Sequence, residues 1–143
     1  MQFKELLILV TILLFSTDSG AQVLKSTNHN YIGYIKSDGI IQNRNYTVVG
    51  YIKNDGTVQN KNFSVIGYIK SNGTFQNNNY STVGYLKEDG TVQNNNYSVI
   101  GYIKSNGSVL NQNYSVIGYA ENVKKEWAAA AFFFFGIYNE LNK

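Results

Sequence analysis

From Gly33 to Ile117 apolar and polar positions follow a pattern that returns every 17 residues. The unit reads Gly-Tyr-Ile-Lys, a polar residue, Asp or Asn, Gly, then Thr-Val-Gln-Asn-x-Asn-Tyr-Ser-Val-Ile. Five complete copies run in tandem, and the Gly-Tyr start falls at Gly33, Gly50, Gly67, Gly84, Gly101 and Gly118. So strict a period requires every copy to adopt one local structure and to pack on its neighbours. Each copy carries Asp-Gly or Asn-Gly between β-prone runs (Asp38-Gly39, Asp55-Gly56, Asn72-Gly73, Asp89-Gly90, Asn106-Gly107), which predicts a β-hairpin. A two-residue loop would set Lys53 opposite Val58. A three-residue loop, Asn54-Asp55-Gly56 with the glycine left-handed, sets Lys53 opposite Thr57 and Ile52 opposite Val58. The second choice matches polar with polar and apolar with apolar. It extends to Ile35 with Ile41, Ile69 with Phe75, Leu86 with Val92 and Ile103 with Val109, the predicted core layer.

The Gln-Asn-x-Asn stretch reads as the turn between hairpins, with asparagine taking the left-handed backbone. The following strand, Tyr-Ser-Val-Ile-Gly-Tyr, is apolar on both faces, with Val65 and Ile69 on one and Ile66 and Tyr68 on the other. It should be covered on both sides. A propeller blade takes about four strands and 40 residues, more than this unit holds. The expected fold is therefore all-β: five hairpins closing into a ring about a pseudo-fivefold axis, or an open β-solenoid. Six Gly-Tyr starts against five hairpins favour closure, with the strand Tyr114 to Tyr119 lying beside the first hairpin and removing the open edges.

After Tyr119 the period breaks. Asn122 is placed to cap a helix from Val123 to Phe135 that ends at Gly136. No charge occurs between Trp127 and Tyr138, so this helix is expected to be enclosed by the ring. Ala128 to Ala131 would sit at a narrow waist, with Phe132 to Phe135 filling wider space beyond. An interfacial membrane anchor is the competing reading, but it would show a charged face along its length.

At the other end, Lys4, the apolar run Leu6 to Phe15, and the small residues Ser19 and Ala21 read as a secretory signal peptide cut after Ala21. The run is short of the roughly 20 residues that cross a bilayer. The organisation predicted is a signal peptide over 1–21, a lead-in over 22–32, the hairpin domain over 33–120, and a helix and tail over 121–143 in the same domain. An exported chain with neither Cys nor Pro is stabilised without disulfides, which suits a bacterial envelope or secreted protein. The net charge is +3, and loss of Lys4, Glu5 and Asp18 with the leader makes it +4. Its basic residues are spread one per copy, so the charge does not predict nucleic-acid binding, and the mature chain shows no transmembrane segment.

Candidate chemistry is sparse. Catalysis needs a nucleophile or a positioned acid and base; the chain has no Cys, and His29, its single histidine, lies in a polar Asn-His-Asn stretch that reads as a solvated loop. The carboxylates of the copies sit at turn tips (Asp38, Asp55, Glu88, Asp89), and Asn72 and Asn106 replace Asp in two copies. That pattern fits turn geometry and predicts neither a catalytic pair nor a metal site, and no cofactor is expected. Lys36, Lys53, Lys70, Lys87 and Lys104 share one repeat position, which closure would turn into a cationic circle able to hold an anion, or into solvated strand-end guards. Tyr34, Tyr51, Tyr68, Tyr85 and Tyr102 share another position, continued by Tyr119. Tyr46, Phe63, Tyr80, Tyr97 and Tyr114 form a second aromatic circle. The first circle and the lysines are the candidate ligand rim, and the Asn pairs from Asn43 and Asn45 to Asn111 and Asn113 supply hydroxyl-binding amides. Phe63 in place of tyrosine favours packing at the second circle. Asn-x-Ser/Thr sequons at Asn45, Asn62, Asn72, Asn79, Asn96, Asn106 and Asn113 follow from the unit itself.

The GYIKxDGTVQNxNYSVI unit, five times over behind a signal peptide and before an Ala/Phe-rich helix, resembles the bacterial five-fold β-flower proteins. The resemblance spans essentially the mature chain. It implies a ring of five hairpin petals and no established activity. A second, partial similarity is to choline-binding cell-wall repeats, but their paired Trp are missing here, since Trp127 lies outside every copy. The expected role is that of an exported structural or interaction protein with no catalytic activity and an unidentified partner. The alternative is a module that binds a glycan or envelope polymer through the repeated Tyr and Asn.

Overall fold

The computed structural model describes residues 21–143; the apolar run Leu6 to Phe15 of the expected leader lies outside the described residues. Twelve strands form one closed antiparallel barrel. They are β1 Val23–Lys25, β2 Tyr31–Ile35, β3 Ile40–Asn43, β4 Val48–Ile52, β5 Thr57–Asn60, β6 Val65–Ile69, β7 Thr74–Asn77, β8 Thr82–Leu86, β9 Thr91–Asn94, β10 Val99–Ile103, β11 Ser108–Asn111 and β12 Val116–Glu121. Each strand pairs with its sequence neighbour, and β1 pairs with both β2 and β12. Closure excludes the open solenoid.

The Asp-Gly and Asn-Gly turns form as the pattern requires. Gly56 N–H donates to the Lys53 carbonyl at 2.9 Å, Lys53 N–H donates to the Thr57 carbonyl at 2.8 Å, and Ile52 stands opposite Val58. The same register brings Ile35 to Ile41, Ile69 to Phe75, Leu86 to Val92 and Ile103 to Val109. Leu24, Ile41, Val58, Phe75, Val92 and Val109, one from each odd-numbered strand, have no exposed surface and form a continuous belt inside the barrel.

Closure differs from the sequence expectation. The last strand does not lie against the first hairpin: β1, within the supposed lead-in, intervenes and pairs with both. Five hairpins occupy β2 to β11, and the two chain ends supply the remaining pair. Val23 stands ten residues before Gly33, as Thr57 does before Gly67, so the lead-in is a degenerate half of the repeat. Lys25 Nζ and Glu121 Oε1, 2.8 Å apart, bridge this seam.

A second difference concerns the faces of the long strands. Gln59 pairs with Val65 and Val58 with Gly67, so Ile66 is an extra residue, a β-bulge. The bulge recurs at Ile32, Val49, Val83, Ile100 and Ile117. It breaks the two-residue alternation. Ile66 and Ile69 both pack on the core, whereas Val65 belongs to the outer column that leaves Val99 36% and Val116 38% exposed.

The C-terminal segment threads the barrel. It enters among the Gly turns, where Lys124 to Trp127 line one opening with Gly56 and Gly73, and leaves among the Asn turns, where Phe135 and Ile137 stand near Asn43 and Asn60. Ala128, Ala129, Ala130 and Ala131 between them are fully buried. The predicted helix from Val123 to Phe135 is interrupted. An α-helix, α1, covers Lys125–Ala129, a π-helical turn covers Ala130–Phe134, and after Gly136 (φ 66°) a second α-helix, α2, covers Ile137–Leu141. Asn122 caps nothing: it has φ 58° and donates from Nδ2 to the Ala21 carbonyl, while Lys124 precedes α1 without a side-chain cap. Among the described residues no helix is long and apolar enough to cross a membrane.

The π-turn follows from the fit of four consecutive phenylalanines to the barrel. A Cβ added to Gly118, Gly101, Gly84 or Gly67 would approach the ring of Phe132, Phe133, Phe134 or Phe135 respectively to under 3.0 Å. Each step along the chain thus advances one copy, two of twelve strands, or about a sixth of a turn. An α-helix at 3.6 residues per turn rotates too far per residue. The wider π-turn, marked by Phe135 N–H donating to the Ala130 carbonyl at 3.1 Å, rotates less and reduces the mismatch. The four phenylalanines are half-buried rather than enclosed, because they lie toward the Asn-turn opening.

Candidate binding surface, an exterior aromatic girdle

The Asn turns have the same three-residue form as the Gly turns, with a different residue in the left-handed position. Asn60 N–H donates to the Ser64 carbonyl at 2.9 Å and Phe63 N–H to the Asn60 carbonyl at 3.0 Å. The left-handed residue is the aromatic, not an asparagine: Tyr46, Phe63, Tyr80, Tyr97 and Tyr114 have φ of 64–65°. Such backbone in a bulky residue is strained by roughly 1–3 kcal/mol. Asn60 Oδ1 secures the turn by accepting from Asn62 N–H at 2.9 Å and Ser64 N–H at 3.1 Å, and Asn43, Asn77, Asn94 and Asn111 repeat this. The first Asn of each pair therefore holds its turn. The second, from Asn45 to Asn113, is exposed.

Held this way, each aromatic lies flat on the tyrosine twelve residues before it. Ring centroids are 5.1 Å apart for Tyr34 and Tyr46, 5.0 Å for Tyr51 and Phe63, 4.8 Å for Tyr68 and Tyr80, 4.8 Å for Tyr85 and Tyr97, and 4.7 Å for Tyr102 and Tyr114. The chain ends complete the series: His29, with φ 63°, stacks on Tyr119 at 4.2 Å. His29 is the exposed loop residue its neighbours suggest, and the stack on Tyr119 adds to that reading. It stands four residues before Gly33, as Phe63 stands before Gly67, and that offset was the signal for it. Tyr31, 53% exposed, adds a ring beside Tyr34 at 6.3 Å.

The inner tyrosines, from Tyr34 to Tyr102, are half-buried, while the second circle is 65–69% exposed. Phe63 thus marks the open side of a stack, not an interior contact. In three copies the stacked hydroxyls also bond to each other, Tyr68 donating to Tyr80 at 3.2 Å, Tyr85 to Tyr97 at 3.3 Å and Tyr102 to Tyr114 at 3.1 Å. That bond, then burial, raises the Tyr68, Tyr85 and Tyr102 hydroxyls above their ordinary value of about 10. Lys25 is raised too, by its bond to Glu121. Each shift favours the protonated form in the folded state. The stability they contribute is whole below the ordinary values and is lost as pH rises through the raised ones. Thermal midpoints should hold to about pH 10 and fall above it, with part of the tyrosinate absorbance appearing late. A midpoint flat through that range, with all tyrosines titrating together, would contradict the hydroxyl pairing.

The lysines do not join this surface. Lys36, Lys53, Lys70, Lys87 and Lys104 open the Gly turns at the other end and are all exposed. Lys53, Lys70 and Lys87 share a cleft of about 630 Å³ with Lys124, Lys125 and Trp127, but Asp55, Glu88 and Glu126 stand among them. The candidate rim thus separates into a girdle of stacked rings and a mixed-charge mouth. The carboxylates of Asp55 and Asp89 are held below their ordinary range chiefly by the N–H groups of Thr57 and Thr91, which is turn chemistry.

Five hairpins, a closing pair from the chain ends and an axial plug make one unit, and the sequence profile of the 5-fold beta-flower proteins matches residues 21–136, from the start of the seam to the residue that ends the phenylalanine run. The chain belongs to this family. The matched span of this beta-flower protein includes β1 and the plug as far as Gly136, as well as the hairpins. No curated protein and no solved structure matches it. What the beta-flower geometry offers is flat aromatic faces beside exposed amides, repeated around a closed surface. Such faces offer apolar contact and hydrogen bonding to whatever lies against them.

Proposed function

We propose that this chain is an exported, non-catalytic interaction protein of a bacterial envelope or secretome, and that the aromatic girdle is its recognising surface. The observation that carries the reading is the second aromatic circle. Five bulky rings are each kept in strained left-handed backbone and two-thirds exposed, where glycine would remove the strain. Strain retained at an exposed aromatic is accounted for by what the ring touches outside the fold. Export rests on the sequence, on Leu6 to Phe15 followed by Ser19 and Ala21. In the finer description of the ring, the five 17-residue petals and the closing pair from the chain ends each take about a sixth of the turn rather than a fifth, and they present the same surface repeatedly to a repeating partner.

A narrower reading is that the partner is a glycan or envelope polymer. The flat ring faces suit the apolar face of a sugar, and Asn62 with its equivalents places an exposed amide one residue from each ring. The test is retention on immobilised glycans and cell-wall polymers. The wild type should be retained, and a triple variant, Phe63→Asn, Tyr80→Asn and Tyr97→Asn, should lose retention at least tenfold without a change in circular dichroism, because Asn accepts left-handed backbone. Retention that survives the triple change removes the girdle from the reading, and a wild type retained by nothing removes the glycan.

A further inference from the structure

Six copies of the Gly-Tyr position line the barrel, and the plug covers five of them. Phe132, Phe133, Phe134 and Phe135 lie on Gly118, Gly101, Gly84 and Gly67, and Leu141 of α2 lies on Gly33. Gly50 has no such cover. The atoms nearest a Cβ there belong to Gln59 and the Ile41 side chain, both part of the barrel wall, and none of these nearest atoms comes from the plug. The cause is the chain reversal at Gly136. The phenylalanine series steps from copy to copy as far as Gly67, the backbone then turns at φ 66°, and α2 runs beside β4 and sets Leu141 on Gly33 without placing a side chain directly on Gly50. Over Gly50 the structure has a cleft of about 470 Å³. Val49, Ile66, Phe135 and Ile137 supply its apolar walls, and Asn60, Lys61, Glu140 and Lys143 lie at its rim, the last two neutralising each other. Its size falls within the range of small-molecule sites, apolar walls with a few polar groups at the edge.

We propose that the Gly50 notch binds a small aromatic molecule with an anionic tail, its phenyl ring seated as the four phenylalanines are seated in the equivalent notches. The molecule itself supplies the template: four copies of the same wall already hold a phenyl ring, and the strand that carries Gly50 has the same register and the same bulge as theirs. The tail chemistry follows from the rim. Among the described residues Lys61 forms no ion pair, whereas Lys143 is paired with Glu140 at 2.6 Å. This site is separate from the exterior girdle, and neither reading depends on the other.

The experiment is an amide NMR titration of the protein with 3-phenylpropionate. The expected result is saturable shifts centred on Val49, Gly50, Ile66 and Ile137 with one equivalent bound, and weaker binding of 3-phenylpropanol, which lacks the charge. Val49→Phe, which puts a ring of the protein's own into the notch, should weaken binding at least tenfold. Phe134→Ala supplies an independent arm by uncovering the equivalent notch at Gly84, and the stoichiometry should rise to two. Shifts that fail to saturate, that centre on the exterior tyrosines, or that leave the stoichiometry of a folded Phe134→Ala at one would overturn the proposal. If Val49→Phe does not fold, the wild-type titration and the Phe134→Ala stoichiometry decide it.

Discussion

A chain ending at Asn122 should not form a stable barrel. The truncation leaves every strand and both seam partners, Lys25 and Glu121, in place, so any loss is that of the axial plug. The plug contributes Trp127, Ile137 and Leu141, all at least 93% buried, and four alanines with no exposed surface. Burying one large apolar side chain is worth about 1.5–3 kcal/mol, so these three alone amount to roughly 4–9 kcal/mol as an upper estimate. That range reaches the whole net stability of a typical domain, about 5–15 kcal/mol. The half-buried phenylalanines add to it. Without the plug, the belt of Leu24, Ile41, Val58, Phe75, Val92 and Val109 would face an open lumen. Short strands of three to six residues have little else to stabilise them. The expected outcome is an unfolded or aggregating product, read by thermal unfolding and sedimentation. A soluble truncated barrel that melts with the full-length protein would show that the sheet is self-sufficient. It would also revive the membrane-anchor reading of the segment, under which truncation abolishes membrane fractionation only.

The parts legible in the sequence were those whose chemistry is local. Asp55-Gly56 dictates its turn through one left-handed glycine and one carboxylate that accepts the Thr57 N–H at 3.0 Å, and the facing pairs follow from it by counting. The less legible features depend on what lies next door. Val23–Lys25 is too short and too divergent from Thr-Val-Gln-Asn to announce a strand; it becomes one because β2 and β12 would otherwise present free edges. The bulge at Ile66 is invisible to a two-residue alternation, since one extra residue moves the next to the other face. The π-turn reflects the spacing of notches in the barrel wall, which no property of Phe132 to Phe135 taken alone reveals. For the candidate site, the repeat spacing defines both aromatic circles, but not that each ring of one stacks on a ring of the other, which depends on the backbone of the Asn turns. That the outer ring would be the exposed one was obscured by Phe63, whose apolar character suggested burial.

Gly56→Ala should be among the most damaging single substitutions in the chain, whereas exchange in the same left-handed slot at the opposite turn should leave stability nearly level. Gly56 has φ 89°, and an added Cβ would stand under 3.0 Å from the carbonyl oxygen of Ile69 in the next copy. The contact is backbone against backbone, because Ile69 N–H donates to the Gly56 carbonyl at 2.8 Å and holds the two copies together. The turn cannot shift without opening that junction. Strain in left-handed backbone of about 1–3 kcal/mol and overpacking of about 1–3 kcal/mol together predict a loss of roughly 2–6 kcal/mol, measured by denaturant unfolding at an unchanged slope. Phe63 occupies the matching position of the Asn turn, at φ 65°, with its ring on Tyr51 and two-thirds exposed. Phe63→Gly removes the strain, but it loses a stack worth about 0.5–1.5 kcal/mol and gives the unfolded chain about 0.4–1 kcal/mol more freedom, so the terms nearly cancel and stability should change by no more than about 1 kcal/mol. The contrast separates two uses of one backbone conformation. At the Gly turn it serves the junction between copies and admits no side chain; at the Asn turn it holds a ring outward with little net effect on stability. A Phe63→Gly variant that loses as much as Gly56→Ala would show that the outer rings are structural, and the girdle would then have no claim to a partner.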